Sequence, residues 1–313
     1  LLKNWIYKHI QPLQWIIKMN VPHPIPYQGS KRKFAERIFS SFPTNVDTMY
    51  EPFAGSAAMT IYAAFKGYAK KYVIGDTLAP LVSLHEMIIE YPDETSKKYS
   101  KIWNGHGDSH VEYFYEIRER YNTQKDPVDL LYCIARCVAN AVRFGKDERF
   151  TQSADKRRLG MRPEKMRKQM LEVSNLLKGR VTFRVGDWLE TISDAEPTDL
   201  IYMDPPYLGT SAGRDKRYHK QLEFEKLCSG LDSMTERGLR FALSYDGATG
   251  KKVYGPRLPE ELNLRRVELV GGLSSQATLN GKREVSVESL YLSPEMNGVK
   301  EPTKMTQASL LSV

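Results

Sequence analysis

Cysteine is scarce: Cys133, Cys137 and Cys228 are the only three in 313 residues, and they follow no framework spacing. A chain so composed is not held together by disulfides and reads as the product of a reducing, cytoplasmic compartment. Cys133 and Cys137 lie four apart on a predicted helix and share a face, which points to core packing. No His/Cys cluster completes a ligand set, so no metal is expected. No run of about 18 apolar residues occurs, so no membrane-spanning segment is expected. Residues 1–18 are mildly apolar but carry Lys3, Lys8, His9 and Lys18 and no small-residue cleavage site. They read as an N-terminal extension (1–20) with Met19 as a candidate natural start, not as a secretory signal. The glycine turns lack both the Lys-Ser/Thr ending of a phosphate loop and a full Gly-x-Gly-x-x-Gly. There is no internal repeat.

What is present is a globular composition, 41% hydrophobic and 11% aromatic, with a net charge of +8. The length allows one large α/β domain with an insertion. The basic residues are concentrated. From Asn140 to Arg184 there are thirteen Lys/Arg against five Asp/Glu, an excess equal to the net charge of the whole chain. Such a concentration favours a polyanionic partner over a merely solvated helix face.

The chemistry-bearing residues fall at the ends of predicted strands. Leu200-Ile201-Tyr202-Met203 is an apolar run that ends in Asp204-Pro205-Pro206-Tyr207. In an open α/β sheet, ligands bind at that edge. The carboxylate accepts hydrogen bonds, the prolines fix the backbone and carry no competing N–H, and the tyrosine offers a face for stacking. These are the parts needed to hold an amino group on an aromatic base. A second strand, Thr48-Met49-Tyr50, ends in Glu51-Pro52-Phe53-Ala54-Gly55-Ser56 and leads to a helix near Ala57; a third, Lys71 to Asp76, ends in an acid 21 residues beyond Gly55. This spacing matches α/β nucleotide-cofactor sites, whose acid binds ribose hydroxyls. A fourth, Val181 to Val185, precedes Gly186-Asp187-Trp188, an acid and an aromatic suited to an adenine edge and face. Upstream, Tyr27-Gln28-Gly29-Ser30-Lys31 forms a tight turn, with Ser30 expected to cap a helix running to about Phe42 and the turn suited to an anionic group.

Between the third and fourth strands the pattern is helical, over 81–90, 94–103, 110–122, 128–141 and 161–177. A hairpin is expected at 141–151, with Arg143 and Arg149 flanking a polar turn that contains Lys146. Lys156, Arg157, Arg158 and Arg162 follow. These residues, with Lys282 and Arg283 in the polar segment 274–283, are the candidate DNA contacts; arginine pairs bidentately with guanine or phosphate. The loop 208–219 is polar and basic. A helix is expected at 221–236, a strand at 239–244, and an antiparallel pair at 267–270 and 287–292. The tail beyond Pro294 reads as largely disordered.

The order Tyr-Gln-Gly-Ser-Lys, Glu-Pro-Phe-Ala-Gly-Ser, helical insert, Asp-Pro-Pro-Tyr resembles the Dam-like DNA adenine-N6 methyltransferases, from about Pro26 to Leu292. The resemblance implies an α/β, Rossmann-like methyltransferase sheet, mostly parallel with a terminal antiparallel strand, plus an inserted helical target-recognition module with a basic hairpin. Residues 21–80 and 178–293 would form the catalytic domain, 81–177 the recognition insert and 294–313 a tail. It implies S-adenosylmethionine as methyl donor, held by Tyr27, Gly29, Ser30, Lys31, Glu51, Phe53, Gly55, Asp76, Asp187, Trp188 and Asp204, with Asp204, Pro205, Pro206 and Tyr207 catalytic. Double-stranded DNA would be the partner, in a nucleoid-associated cytoplasmic setting, and a cognate restriction endonuclease could act on the same site. The family's Gly-x-Gly is Gly55-Ser56-Ala57 here, and the run typical of enzymes reading GATC is replaced by Asp147-Glu148-Arg149-Phe150-Thr151-Gln152-Ser153, so a target other than GATC is expected. Cytosine-N4 or RNA adenine remain alternative substrates. A catalytically silent nucleic-acid-binding relative is the alternative of another class. Cytosine-C5 chemistry is disfavoured because no cysteine lies in a Pro-Cys turn, and no nuclease signature is present.

Overall fold

Five short parallel strands build the frame on which everything else is hung. The computed structural model describes residues 20–145, 147–206, 223–249, 252–273 and 285–296. Tyr207, Lys146, Lys282 and Arg283 lie outside the described residues, as do residues 1–18, the loop 208–219 and the tail from 297.

A one-turn 3-10 stretch, Lys31–Lys33, leads into α1 (Ala35–Phe39). Then come β1 (Val46–Glu51), α2 (Ala58–Phe65), β2 (Ala69–Asp76), α3 (Ala79–Glu90), α4 (Pro92–Asn104), α5 (His110–Gln124), α6 (Pro127–Arg136) and α7 (Pro163–Leu177). β3 (Val181–Val185), α8 (Trp188–Thr191), β4 (Leu200–Met203), α9 (Phe224–Glu236), β5 (Phe241–Thr249), β6 (Lys252–Tyr254), β7 (Arg265–Leu273) and β8 (Val285–Leu292) complete the chain. The strand order is β3-β2-β1-β4-β5-β8-β7, with β6 paired to β5. The first five strands are parallel, while β8 runs antiparallel between β5 and β7. This is the α/β, Rossmann-like sheet anticipated above, and β7 and β8 are the expected antiparallel pair.

The period-2 alternation sorts side chains to two faces. Met49, Tyr72, Ile74, Leu200, Tyr202 and Ala242 join one buried cluster, with α2, α3 and α7; Tyr50, Val73, Ile201, Met203, Phe241 and Leu243 join the other, beneath α8 and α9. Because β4 is covered on both faces, all four of its residues are buried, which is why it reads as an unbroken apolar run. Helices α4, α5 and α6 share the first cluster with the sheet, so segment 81–177 is packed continuously onto β2 and α2. Within it, Asp126 caps α6 through Val128 N at 2.9 Å with Pro127 in the first turn, and Arg120 grips buried Asp129 through two nitrogens.

Two local expectations are corrected. Ser30 does not cap a helix: Gly29 turns at φ +87°, and the Ser30 hydroxyl instead accepts from Ser56 at 3.1 Å, so the α-helix begins at Ala35 and ends at Phe39. The helix expected to reach 141 stops at Arg136. Ala139 and Asn140 take left-handed φ, and the Asn140 side-chain amide donates to the Ile134 carbonyl at 2.9 Å, so a helix-end carbonyl is satisfied by a side chain. Cys133 and Cys137 are both fully buried in the core.

Gly230 on α9 lies against the Trp188 ring, and a Cβ there would fall within 2.6 Å of Trp188 Cζ2. Gly230→Ala is therefore expected to lower stability by about 1–3 kcal/mol through overpacking, although alanine is the better helix former. Urea unfolding checks this; a stability equal to or above that of the parent chain would refute the packing.

Candidate active site

Glu51 ends β1, Asp76 ends β2, Asp187 follows β3 and Asp204 follows β4, so four carboxylates rise from one edge of the parallel sheet. β1 and β4 are neighbours on which the strand order reverses, the topological switch point where α/β sheets open a crevice. A cavity of about 570 Å³ opens there and is lined from all four strand ends. That volume suits a nucleoside-sized ligand.

Lys31 is the electrostatic centre of this cavity. Its ammonium is buried, with Nζ 2.8 Å from Asp204 Oδ1 and 3.3 Å from Glu288 Oε2. Burial raises the Asp204 carboxyl to about 6, with Lys31 opposing and Glu288 adding to the rise. Glu51 lies deeper. Burial raises it to about 7, against the pull of hydrogen bonds from Thr60 N at 2.8 Å and Met59 N at 3.4 Å. Those two amides belong to the first turn of α2, whose positive end favours a carboxylate.

The loop from Glu51 to Ala57 is fixed from three sides. Gly55 takes φ +49°, and the Tyr27 ring stands 3.4 Å from where a Cβ would be. Gly55 N donates to Asp76 Oδ2 at 3.1 Å, and Leu78 N donates to Asp76 Oδ1 at 3.0 Å. The Gly55 carbonyl accepts from His85 Nε2 at 2.8 Å. Burial lowers His85 to about 4, so the ring is neutral near pH 7 and Nε2 carries the proton. Asp187 caps α8 through Leu189 N at 3.0 Å and pairs with Lys226 at 2.7 Å. Trp188 lies beside Phe53, with ring centroids 5.9 Å apart, and its buried Nε1 has no hydrogen-bond partner among the described residues.

Every described residue named above for the donor or the chemistry lines this cavity: Tyr27, Gly29, Ser30, Lys31, Glu51, Phe53, Gly55, Asp76, Asp187, Trp188, Asp204, Pro205 and Pro206. The basic residues are elsewhere. The hairpin is present, with Phe144 bridged to Phe150, Gly145 N donating to Arg149 O at 2.9 Å and Thr151 N to Arg143 O at 3.0 Å. Its root reaches the cavity through Val142 and Phe144. Arg143 is half-buried, Arg149 is paired with Glu119, Arg158 with Asp155, and Lys156, Arg157 and Arg162 are exposed. Sequence reasoning missed Glu288 and His85. The signal for Glu288 was a lone ionisable residue between Val285 and Leu290; His85, beside Glu86 in the largely apolar run Leu81 to Ile89, gave no such signal.

The family model described as D12 class N6 adenine-specific DNA methyltransferase matches residues 27–258. The chain belongs to this family. Among its relatives, the modification methylase StsI of Streptococcus sanguinis is 29% identical, over 72% of this chain and 36% of that protein. The type II methyltransferase M.FokI of Planomicrobium okeanokoites is 26% identical, over 72% of this chain and 35% of that protein. The retron Ec67 DNA adenine methylase of Escherichia coli is 22% identical, over 85% of this chain and 97% of that protein. The chain thus spans about a third of the length of the first two and nearly all of the third.

The raised Glu51 carboxyl has a consequence for stability. An unfolded Glu51 ionises near its ordinary value of 4.5, while the folded one holds its proton up to about 7. The folded state therefore binds the proton more tightly, and stability falls as pH rises from the lower value to the higher, by on the order of 3 kcal/mol. Glu51→Gln removes this dependence. Relative to the parent chain, the variant should gain stability between pH 5 and pH 8 in urea melts. A constant difference at both pH values would refute the assignment.

Proposed function

We propose that this chain transfers a methyl group from S-adenosylmethionine to the exocyclic N6 amine of an adenine in double-stranded DNA. The observation that carries the reading is Asp204, held by Lys31 at the mouth of β4, opening on the same cavity as the loop 51–57. Membership of the D12 class supports the choice of adenine, and the names of the relatives, modification methylases and DNA adenine methylases alike, support DNA.

The residues present fit the donor. The positive-φ turn at Gly55 lets a ligand approach the backbone, the Asp76 carboxylate at the end of β2 lines the cavity where hydroxyls would be held, and the Trp188 and Phe53 rings offer apolar surface, the indole N–H having no partner among the described residues. Held by these groups, S-adenosylmethionine supplies a methyl already activated as a sulfonium. Asp204 and the Pro205 carbonyl accept the two amine hydrogens, which localises the nitrogen lone pair and aims it toward the cavity. A base in a duplex reaches that point only when it is turned out of the stack. The nitrogen would gain the methyl as the S–CH3 bond breaks, its electron pair staying on a neutral thioether, and would shed one proton, which Asp204 is placed to take on the way to water. Tyr207, directly after Pro206, supplies the stacking face. Positioning and electrostatics carry this chemistry, with no strong base required.

The exposed Lys156, Arg157 and Arg162 supply phosphate contacts, with Arg143 and the hairpin turn reading sequence. Lys146, Lys282 and Arg283 complete the basic set. The turn Asp147-Glu148-Arg149 favours a target other than GATC. A role in a restriction-modification system, with an endonuclease acting on the same site, follows from the names of the first two relatives. A DNA substrate makes the compartment cytoplasmic.

Two outcomes test this. Asp204→Ala should lower methyl transfer to DNA by at least 10³-fold while donor affinity, read by calorimetry, stays within several-fold; near-normal turnover would overturn the assignment. In the unaltered protein, the acceptor form of Asp204 is lost as pH falls through about 6, so single-turnover rates should drop below that pH and level off above it. A rate that holds flat down to pH 5 would contradict it.

A further inference from the structure

Glu288 belongs to none of the motifs and yet reaches the same ammonium as Asp204. It lies in the middle of β8, where its backbone is paired with Gly247 of β5 on one side and Leu269 of β7 on the other. The insertion of β8 between those two strands is what carries this side chain to the switch-point cavity. Glu288 Oε2 is 3.3 Å from Lys31 Nζ, Asp204 Oδ1 is 2.8 Å away on another side, and the Gly29 carbonyl is 3.5 Å away. An ammonium has three donors. With Glu288 and Gly29 taking two of them, Lys31 offers Asp204 one, and the Asp204 carboxylate keeps acceptor capacity for an incoming amine.

The charge balance points the same way. Lys31 alone against Asp204 would make a neutral, strongly coupled pair and a weak acceptor. A second carboxylate leaves the cluster with one net negative charge. The charged groups around Asp204 are Lys31 from the N-terminal turn, Glu288 from β8 and Glu51 from β1, with Asp76 from β2, Asp187, Glu223 just before α9 and Lys226 on it lining the same cavity. Of these, Lys31 pulls the Asp204 carboxyl down and Glu288 pushes it up.

We propose that Glu288 is a positioning residue for methyl transfer, acting through Lys31: it shares the ammonium with Asp204, which keeps Asp204 free and basic enough to accept the target amine. The inference rests on the function proposed above.

The test is single-turnover methylation of DNA across pH 5 to 9 at saturating donor, with donor binding and thermal stability measured in parallel. Glu288→Gln keeps the shape and removes the charge. Its rate at pH 8 should fall about tenfold and the acid limb of its profile should move down by about one pH unit, because a like charge no longer opposes ionisation of Asp204. Donor affinity should stay within threefold. Glu288→Asp should return the limb most of the way to its original position. Lys31→Gln should move the limb up, the opposite sign, and serves as the reading if Glu288→Gln does not fold. A rate loss in Glu288→Gln without displacement of the limb, or a Lys31→Gln limb that does not rise, overturns the inference. Absence of both donor binding and methyl transfer in the unaltered chain overturns the underlying function instead.

Discussion

A buried ammonium shared by two carboxylates ties together three parts of the chain that sequence keeps far apart. Lys31 belongs to the first turn, Asp204 to the end of β4 and Glu288 to β8. Taking such charges out of water is costly, and the cost is offset only where partners are close and further hydrogen bonds are made. The fold meets that condition by geometry. The sheet order puts β4 beside β1 and β8 beside β5, so both carboxylates arrive on rigid strands, while Gly29 turns the backbone at φ +87° before Lys31. A misregister of either strand would leave an unpaired ion in the cavity, so this cluster disfavours alternative packings.

A second network holds the neighbouring loop, and it works without net charge on its donors. Asp76 receives the amides of Gly55 and Leu78, and neutral His85 donates to the Gly55 carbonyl. The left-handed turn at Gly55 is thus determined from both faces by residues on β2 and α3. A loop fixed this way has little conformational freedom left to lose when a ligand arrives, which favours affinity by preorganisation. Asp76 fixes the loop and Asp187 caps α8, and both line the cavity. Carboxylates at strand ends are suited to this double use because one group offers about four acceptor positions.

The sheet and its strand-end acids were legible in the sequence because both follow from short-range rules. Short runs bounded by turn residues mark β1, β2 and β5, a fully apolar run marks β4, and an acid at the end of β1, β2, β3 and β4 marks the ligand edge. What escaped was long-range. Ser30 looked like a cap because the residue type and a following helix fit, but its hydroxyl is engaged by Ser56, 26 positions away. The end of α6 at Arg136 is set by the Asn140 side chain reaching back, which no periodicity reports. Glu288 was invisible for the same reason: its meaning comes from Lys31, 257 residues earlier in the chain. His85 drew no reading either, because its partner, the Gly55 carbonyl, lies 30 residues earlier in the chain.

On the proposed function, the packing of segment 81–177 decides how recognition and chemistry communicate. Helices α4 to α6 share one buried cluster with β1, β2 and α2, and Gln28 N donates to the Asn140 carbonyl at 3.0 Å, so the first motif is sewn directly to the end of α6. The hairpin that follows puts Val142 and Phe144 on the cavity wall and packs Phe144 against Phe150 at 5.8 Å. A hairpin built on this root cannot shift without moving the wall of the cavity, because close-packed interiors transmit displacement and do not absorb it. On the proposed function, freedom to change specificity resides in the turn at 147–149, while the exposed Lys156, Arg157 and Arg162 set phosphate contacts. The root of the hairpin, by contrast, is constrained by the chemistry beside it.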